Sequence, residues 1–135
     1  MKPTHHQTHQ AGRHFAVAEA LLRGHKAKLR GPQTYIEVND HVAQVMVAGK
    51  GAWIIAEIDK FTALTAQTVV LVDTTDGARD VYVAPGNELR QQVRERHDKF
   101  LKRVGGTRPR TPGSGNTVIK PEHVEKWRDN WKLLS

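Results

Sequence analysis

Hydrophobic and polar positions along this chain fall into a helical period at both ends and a strand period between them. Residues 11–23 carry Phe15, Ala18 and Leu22 at i, i+3 and i+7, with Val17 and Leu21 widening the stripe. That spacing predicts a helix, ended by Gly24. In residues 25–34, Lys26, Lys28 and Arg30 alternate with Ala27 and Leu29, as in an edge strand whose charges line one face. From Gly31 to Trp53 the pattern is a hairpin. Tyr35, Ile36 and Val38 form its first arm, Asn39-Asp40 its turn, and Val42, Val45 and Val47 its second arm, interrupted at Gly49-Lys50-Gly51. Trp53-Ile54-Ile55 reads as a third strand, and residues 57–66 as a short helix carrying Ile58, Phe61 and Leu64 or Thr65.

The second half continues with two strands, Val69–Val72 and Val81–Val83, parted by a turn at Asp76-Gly77. A long helix then follows Pro85-Gly86, capped by Asn87 with Glu88 in its first turn. Leu89, Val93, Phe100 and Val104 mark its buried side, and Gly105-Gly106 stops it. Residues 105–116 are too rich in Pro and Gly for a helix. A last helix starts at Pro121 with an apolar ridge of Val124, Trp127, Trp131 and Leu134, more simply a packing staple than a pair of base-stacking rings.

This order implies one α/β (α+β) domain, with a mixed central sheet flanked by helices. Residues 1–10 are expected to be disordered, 11–104 to form the core, and 105–135 to be a basic loop and a C-terminal helix packed on that core. His5 and His9 would share a helical face, but Pro3 and the lack of an obvious cap argue against a helix and a metal site there. There is no cysteine, so disulfides and thiolate metal sites are excluded. No apolar run suits a membrane span, and MKPTHHQTHQ lacks the apolar core of a secretory signal, so a cytoplasmic location is expected.

Charge adds a direction. The formal net charge is +7, and it is lopsided. Residues 1–87 hold nine Lys and Arg against eight Asp and Glu, whereas residues 88–135 hold twelve against six. A one-sided basic surface suits a polyanion, and a solvated basic helix is the plainer alternative. Phosphate contacts would come from Lys28, Arg30, Arg90, Arg94, Lys99, Lys102, Arg103, Arg108 and Arg110. Neither a Gly-x-Ser-x-Gly elbow nor a phosphate-binding Gly-x₄-Gly-Lys-Ser/Thr loop nor a paired-His zinc motif is present.

Within the first helix, Gly12, Phe15, Ala18-Glu19, Leu21-Leu22 and Gly24 stand in an order that resembles the opening helix of the PD-(D/E)XK nuclease superfamily, which includes restriction endonucleases and Holliday-junction resolvases. The resemblance runs on through the hairpin to Val81–Pro85, and WRDNWKLL is similar to the ending of small bacterial members. It implies a restriction-endonuclease-like fold. It also implies an Asp on the second core strand and a Glu or Gln, a spacer and a Lys on the third, around Mg²⁺. Phosphodiester hydrolysis needs a hard cation held by oxygen ligands and a positive group near the developing charge.

The chain departs from that pattern. TYIEVN offers Glu37 instead of Asp, with Tyr35, Glu37 and Asn39 expected on one face. The triplet reads Gln44-Val45-Met46, which puts a thioether in place of the ammonium. Lys50 could act as a migrated lysine, and Glu19 matches the helix glutamate that supports the metal in resolvase-like members. The first expectation is therefore a nuclease-fold protein that binds nucleic acid, DNA first, with its catalytic signature largely lost and no cofactor. The alternative is an active Mg²⁺-dependent endonuclease, with Glu37, Gln44 and Lys50 catalytic and Glu19 and Glu37 on the metal. A second alternative is a non-enzymatic scaffold, with Trp127 and Trp131, if exposed, as a partner or homodimer surface.

Overall fold

The computed structural model describes residues 2–31, 34–103 and 117–135. Helix α1 (His5–Leu22) is followed by β1 (Ala27–Arg30), β2 (Tyr35–Val38), β3 (His41–Ala48) and β4 (Trp53–Ile55). Then come α2 (Ile58–Thr62), β5 (Thr68–Asp73), β6 (Asp80–Pro85), α3 (Gly86–Arg103), β7 (Thr117–Ile119) and α4 (Pro121–Val124). Five strands form one mixed sheet in the order β1-β2-β3-β5-β6, parallel between β3 and β5 and antiparallel elsewhere. The expected mixed α/β architecture is the observed one. A two-stranded sheet of β4 and β7 lies beside it; β7, with only three residues, was not foreseen.

Local chemistry sets the joints. Asn39 and Asp40 both have positive φ, 50° and 68°, the type I′ geometry that closes a two-residue hairpin, with Val38 opposite His41. At the end of α1, the Gly24 N–H donates to Leu21 O and the His25 N–H to Ala20 O, the paired bonds of a Schellman cap, with Gly24 at φ 88°.

Helix α1 begins at His5, not at residue 11. A reciprocal cap explains the extra turns. The Gln7 N–H donates to Thr4 Oγ1 at 3.1 Å, and the Thr4 N–H donates to Gln7 Oε1 at 2.9 Å. Pro3 lies outside the helix, so it breaks nothing.

The buried face of α1 also differs from the expected apolar stripe. Gly12, Arg13, Ala16 and Ala20 are buried, whereas Leu21 and Leu22 are exposed. Small residues face the sheet because the helix lies close to it. A Cβ placed on Gly12 would sit 2.6 Å from the Val47 methyls. Arg13 is buried because its guanidinium donates to the carbonyls of Arg30, Gly31 and Tyr35, tying α1 to the ends of β1 and β2.

Each face of the sheet has its own core. Ile36, Val38, Ala43, Val45, Val70, Val72, Val81 and Val83 pack under α1. Val69, Leu71, Tyr82 and Ala84 pack with Trp53, Ile55, Phe61, Leu89 and Val93 on the other face. β5 lies between them and is buried throughout.

The expected C-terminal helix is a chain of short turns: α4, a 3₁₀ turn at Glu125–Trp127, and another at Trp131–Leu134. The break is at Asp129, with φ 51°. There the backbone turns to serve the outer edge of β6: the Asp129 N–H donates to Val81 O, and the Asn130 amide to Val83 O. Val124 and Trp127 therefore fill the core beneath α3, and Trp131 and Leu134 the core beneath α1. The four residues wrap an edge and do not form one ridge. Both tryptophans are buried, so they offer no partner or dimer surface.

α3 starts at Gly86, directly after β6, and Asn87 is not its cap. The Asn87 side-chain Oδ1 instead accepts from Arg90 Nη2 at 2.9 Å. A Cβ on Gly86 would overlap the Ala66 carbonyl oxygen, and the Gly86 N–H donates to Gln67 O at 2.8 Å. The close approach of backbone to backbone requires glycine here. Gly86→Ala is expected to lower the unfolding free energy by about 1–3 kcal/mol, read from urea denaturation. An unchanged midpoint would contradict that close packing.

Candidate functional site

β3 has eight residues, but β2 pairs only with residues 41–44 of it. Beyond Gln44 the second half of β3 holds β5 on one side, while its other edge runs past the end of β2, with the Val45 N–H donating to Thr34 O. The first turns of α1, the 49–54 segment and this free edge border a half-open cavity of about 910 Å³. Gln44 and Lys50 both line it, so the structure brings two of the sequence candidates together. Met46 lines the same space and packs against the neighbouring core.

Glu37 lies on the adjoining open face of β1, β2 and β3, outside that lining. Lys28 is directly opposite it across the β1–β2 ladder and Arg30 is one step along. Arg30 Nη1 approaches Glu37 Oε1 at 2.6 Å, and Lys28 Nζ approaches Oε2 at 3.4 Å. Desolvation pushes the carboxyl up, but hydrogen bonds and charge from Lys28 and Arg30 outweigh it, so Glu37 sits below the usual carboxylate range. Both oxygens face cations. The period-2 reading of the edge strand did place those cations on one face; it did not show that Glu37 would be their partner. Asn39 leaves the expected face, since its side chain donates to Leu134 O and meets His25 Nδ1.

Glu19 is further away still. It sits on α1, on the opposite side of the sheet, and holds Arg23 Nε at 3.0 Å. Glu19 and Glu37 therefore do not converge on a Mg²⁺ site with Gln44 and Lys50. Among the described residues, no group of three or more His, Asp or Glu side chains is arranged to hold a metal ion.

The basic candidates also divide. Arg90 is buried and used internally, with Nη1 donating to Ala66 O and Nη2 to Asn87 Oδ1. It is a strut beneath the start of α3, not a phosphate contact. Arg94 Nη2 is held by Asp59 at 2.6 Å and by Thr62 at 3.1 Å. Lys99, Lys102 and Arg103 are exposed on the last turns of α3. Arg108 and Arg110 lie outside the described residues, as do Val104 and the stop at Gly105-Gly106.

Sequence reasoning missed the α1 contribution to the cavity. Lys2, His5 and His9 line it, and burial holds the His9 imidazole below its ordinary value despite a hydrogen bond to the Val45 backbone. The signal was Thr4-x-x-Gln7, a capping pattern that extends the helix back over both histidines.

With this geometry in hand, the chain can be set beside known proteins. No family model matches it, and no curated protein is similar to it in sequence. A solved structure is similar in three dimensions: that of a bacterial homing endonuclease, I-Ssp6803I, with a TM-score of 0.56 over 98% of this chain and 92% of that one. The chain has a nuclease-like fold. At 13% sequence identity the likeness is one of fold alone, and it does not carry the PD-(D/E)XK site residues with it. No helix among the described residues is long and apolar enough to cross a membrane.

The Glu37 pair has a pH signature. Its folded pKa is depressed, so its stabilisation is present above the unfolded carboxylate value of about 4 and is lost as pH falls through the lower folded value. Wild type should lose stability between pH 5 and pH 2 faster than Glu37→Gln, measured by urea denaturation across that range. Parallel pH profiles for the two proteins would refute this account of the Glu37 pair.

Proposed function

We propose that this protein binds nucleic acid on a nuclease-like fold without metal-dependent cutting. The observation that carries this reading is the state of Glu37. The carboxylate in the motif strand has both oxygens engaged by Lys28 and Arg30, while its intended partner Glu19 lies across the sheet. A carboxylate paired in this way is a poor ligand for a hard cation, which would have to displace two positive charges. Met46 supplies no positive group where the motif has one. What remains is a basic surface, with Lys99, Lys102 and Arg103 exposed on one end of α3 and in no ion pair among the described residues. Cations of that kind bind phosphate backbones by releasing counterions.

DNA is the first polymer to test, since the similar fold belongs to a homing endonuclease. Binding should weaken steeply with salt and be indifferent to EDTA. The combined variant Lys99→Ala, Lys102→Ala, Arg103→Ala should bind about tenfold or more weakly, with a log–log salt slope shallower by about 2–3. Fluorescence anisotropy with labelled duplex and single-stranded DNA over a salt series measures both. No binding to either at low salt would end this reading.

A second reading, an active Mg²⁺-dependent endonuclease, draws on one observation: Gln44 and Lys50 line the same cavity. It predicts cleavage of labelled DNA in Mg²⁺ or Mn²⁺ that Lys50→Ala abolishes. Equal cleavage by both proteins, or none by either, removes it.

A further inference from the structure

The cavity beside β3 has two kinds of wall. One is cationic: Lys2 and Lys50 line it, with the His5 ring beside them. Asp76 is the one carboxylate among the described lining residues, so the cations outnumber it. Neither lysine has an ion-pair partner among the described residues, in contrast to Lys28, Arg30 and Arg94, whose charges are spent on carboxylates. The other is apolar and includes Met46 and Ile54, the latter 69% exposed. Apolar side chains with a few unpaired cations among them suit a ligand that is apolar at one end and anionic at the other.

The dimensions agree. Small-molecule sites enclose about 300–1,000 Å³, and this cavity holds about 910 Å³. It has room for a nucleotide. We propose that the cavity between α1, the free edge of β3 and β4 is a binding site for a phosphomonoester carried on a nucleoside, either a free nucleotide or the phosphorylated end of a strand. Lys2 and Lys50 meet the phosphate, the His5 ring donates a hydrogen bond to it, and the base lies against Ile54 and Met46. A terminal phosphate carries up to two charges at neutral pH, which suits two lysines better than the single charge of an internal diester. This site is separate from the basic end of α3 and does not depend on polymer binding there.

Calorimetric titration of the full chain tests the assignment with four probes: adenosine, adenosine monophosphate, and one short single strand with either a 5′-phosphate or a 5′-hydroxyl. The phosphorylated member of at least one pair should bind about tenfold more tightly or better. A preference in the mononucleotide pair identifies a free nucleotide as the ligand. A preference confined to the oligonucleotide pair identifies a strand end. Lys50→Ala should erase most of that preference, and His5→Ala should lower it. The α3 variant, Lys99→Ala, Lys102→Ala, Arg103→Ala, should keep it while losing polymer affinity. If neither phosphorylated probe binds more tightly than its partner, or if Lys50→Ala leaves the preference intact, the assignment is wrong. That result would leave the α3 reading standing.

Discussion

The parallel pairing of β3 with β5 is the constraint on which the rest of the molecule depends. Gln44 to Ala48 pair with Val69 to Asp73, and β5 is buried along its whole length. A parallel pair needs a long crossover, supplied here by β4 and α2, and it needs both faces covered. α1 and the wrapped C-terminal segment cover one face; α3, α2 and the small β4–β7 sheet cover the other. Because β3 outruns β2 by half its length, covering the sheet leaves one length of strand edge beside the start of α1. The cavity is a consequence of that mismatch in strand length, and Gln44 and Lys50 line it because they lie at and beyond the point where β2 stops.

Charge in this protein is divided between structure and surface. Arg13 and Arg90 are buried: Arg13 donates to three backbone carbonyls where β1 and β2 end, and Arg90 to the Ala66 carbonyl and the Asn87 side-chain oxygen. A planar, permanently charged fork suits that task better than a lysine. Arg128 does related work at the edge of β6. It binds Glu125 and Asp80 and donates to the Tyr82 hydroxyl, and the Glu125 hydrogen bond is the leading cause of its raised pKa. With these arginines assigned to holding the fold, a net charge of +7 overstates the cation available to a ligand. Among the described residues, the cations still available include the tail of α3 and the lysines of the cavity.

Much of the fold was legible because its signals are local. The Asn39-Asp40 turn, the Gly24 cap, the edge strand with Lys28 and Arg30 on one face, and the short apolar run of β5 each follow from a few adjacent residues. The failures share a cause. The α1 stripe was misread because Gly12, Ala16 and Ala20 face the sheet at close range, and small residues carry little hydrophobic signal. The C-terminal ridge was misread because Val124, Trp127, Trp131 and Leu134 have helical spacing, while β6 presents an unpaired edge that captures the backbone between them. β7 was missed because three residues gain a strand partner only when Trp53–Ile55 is placed beside them.

By itself the sequence determined most of the element types and the mixed sheet, since these depend on residue identity and short spacing. Only the tertiary structure decided which charges are free. Glu37 became a partner of Lys28 and Arg30, Arg90 became a strut, and Lys2, His5, His9 and Lys50 were gathered around one space. The physical reason is that an ion pair or a cavity is made by side chains from distant positions in the chain, and spacing along a strand or helix says which way a group points but not what it will meet.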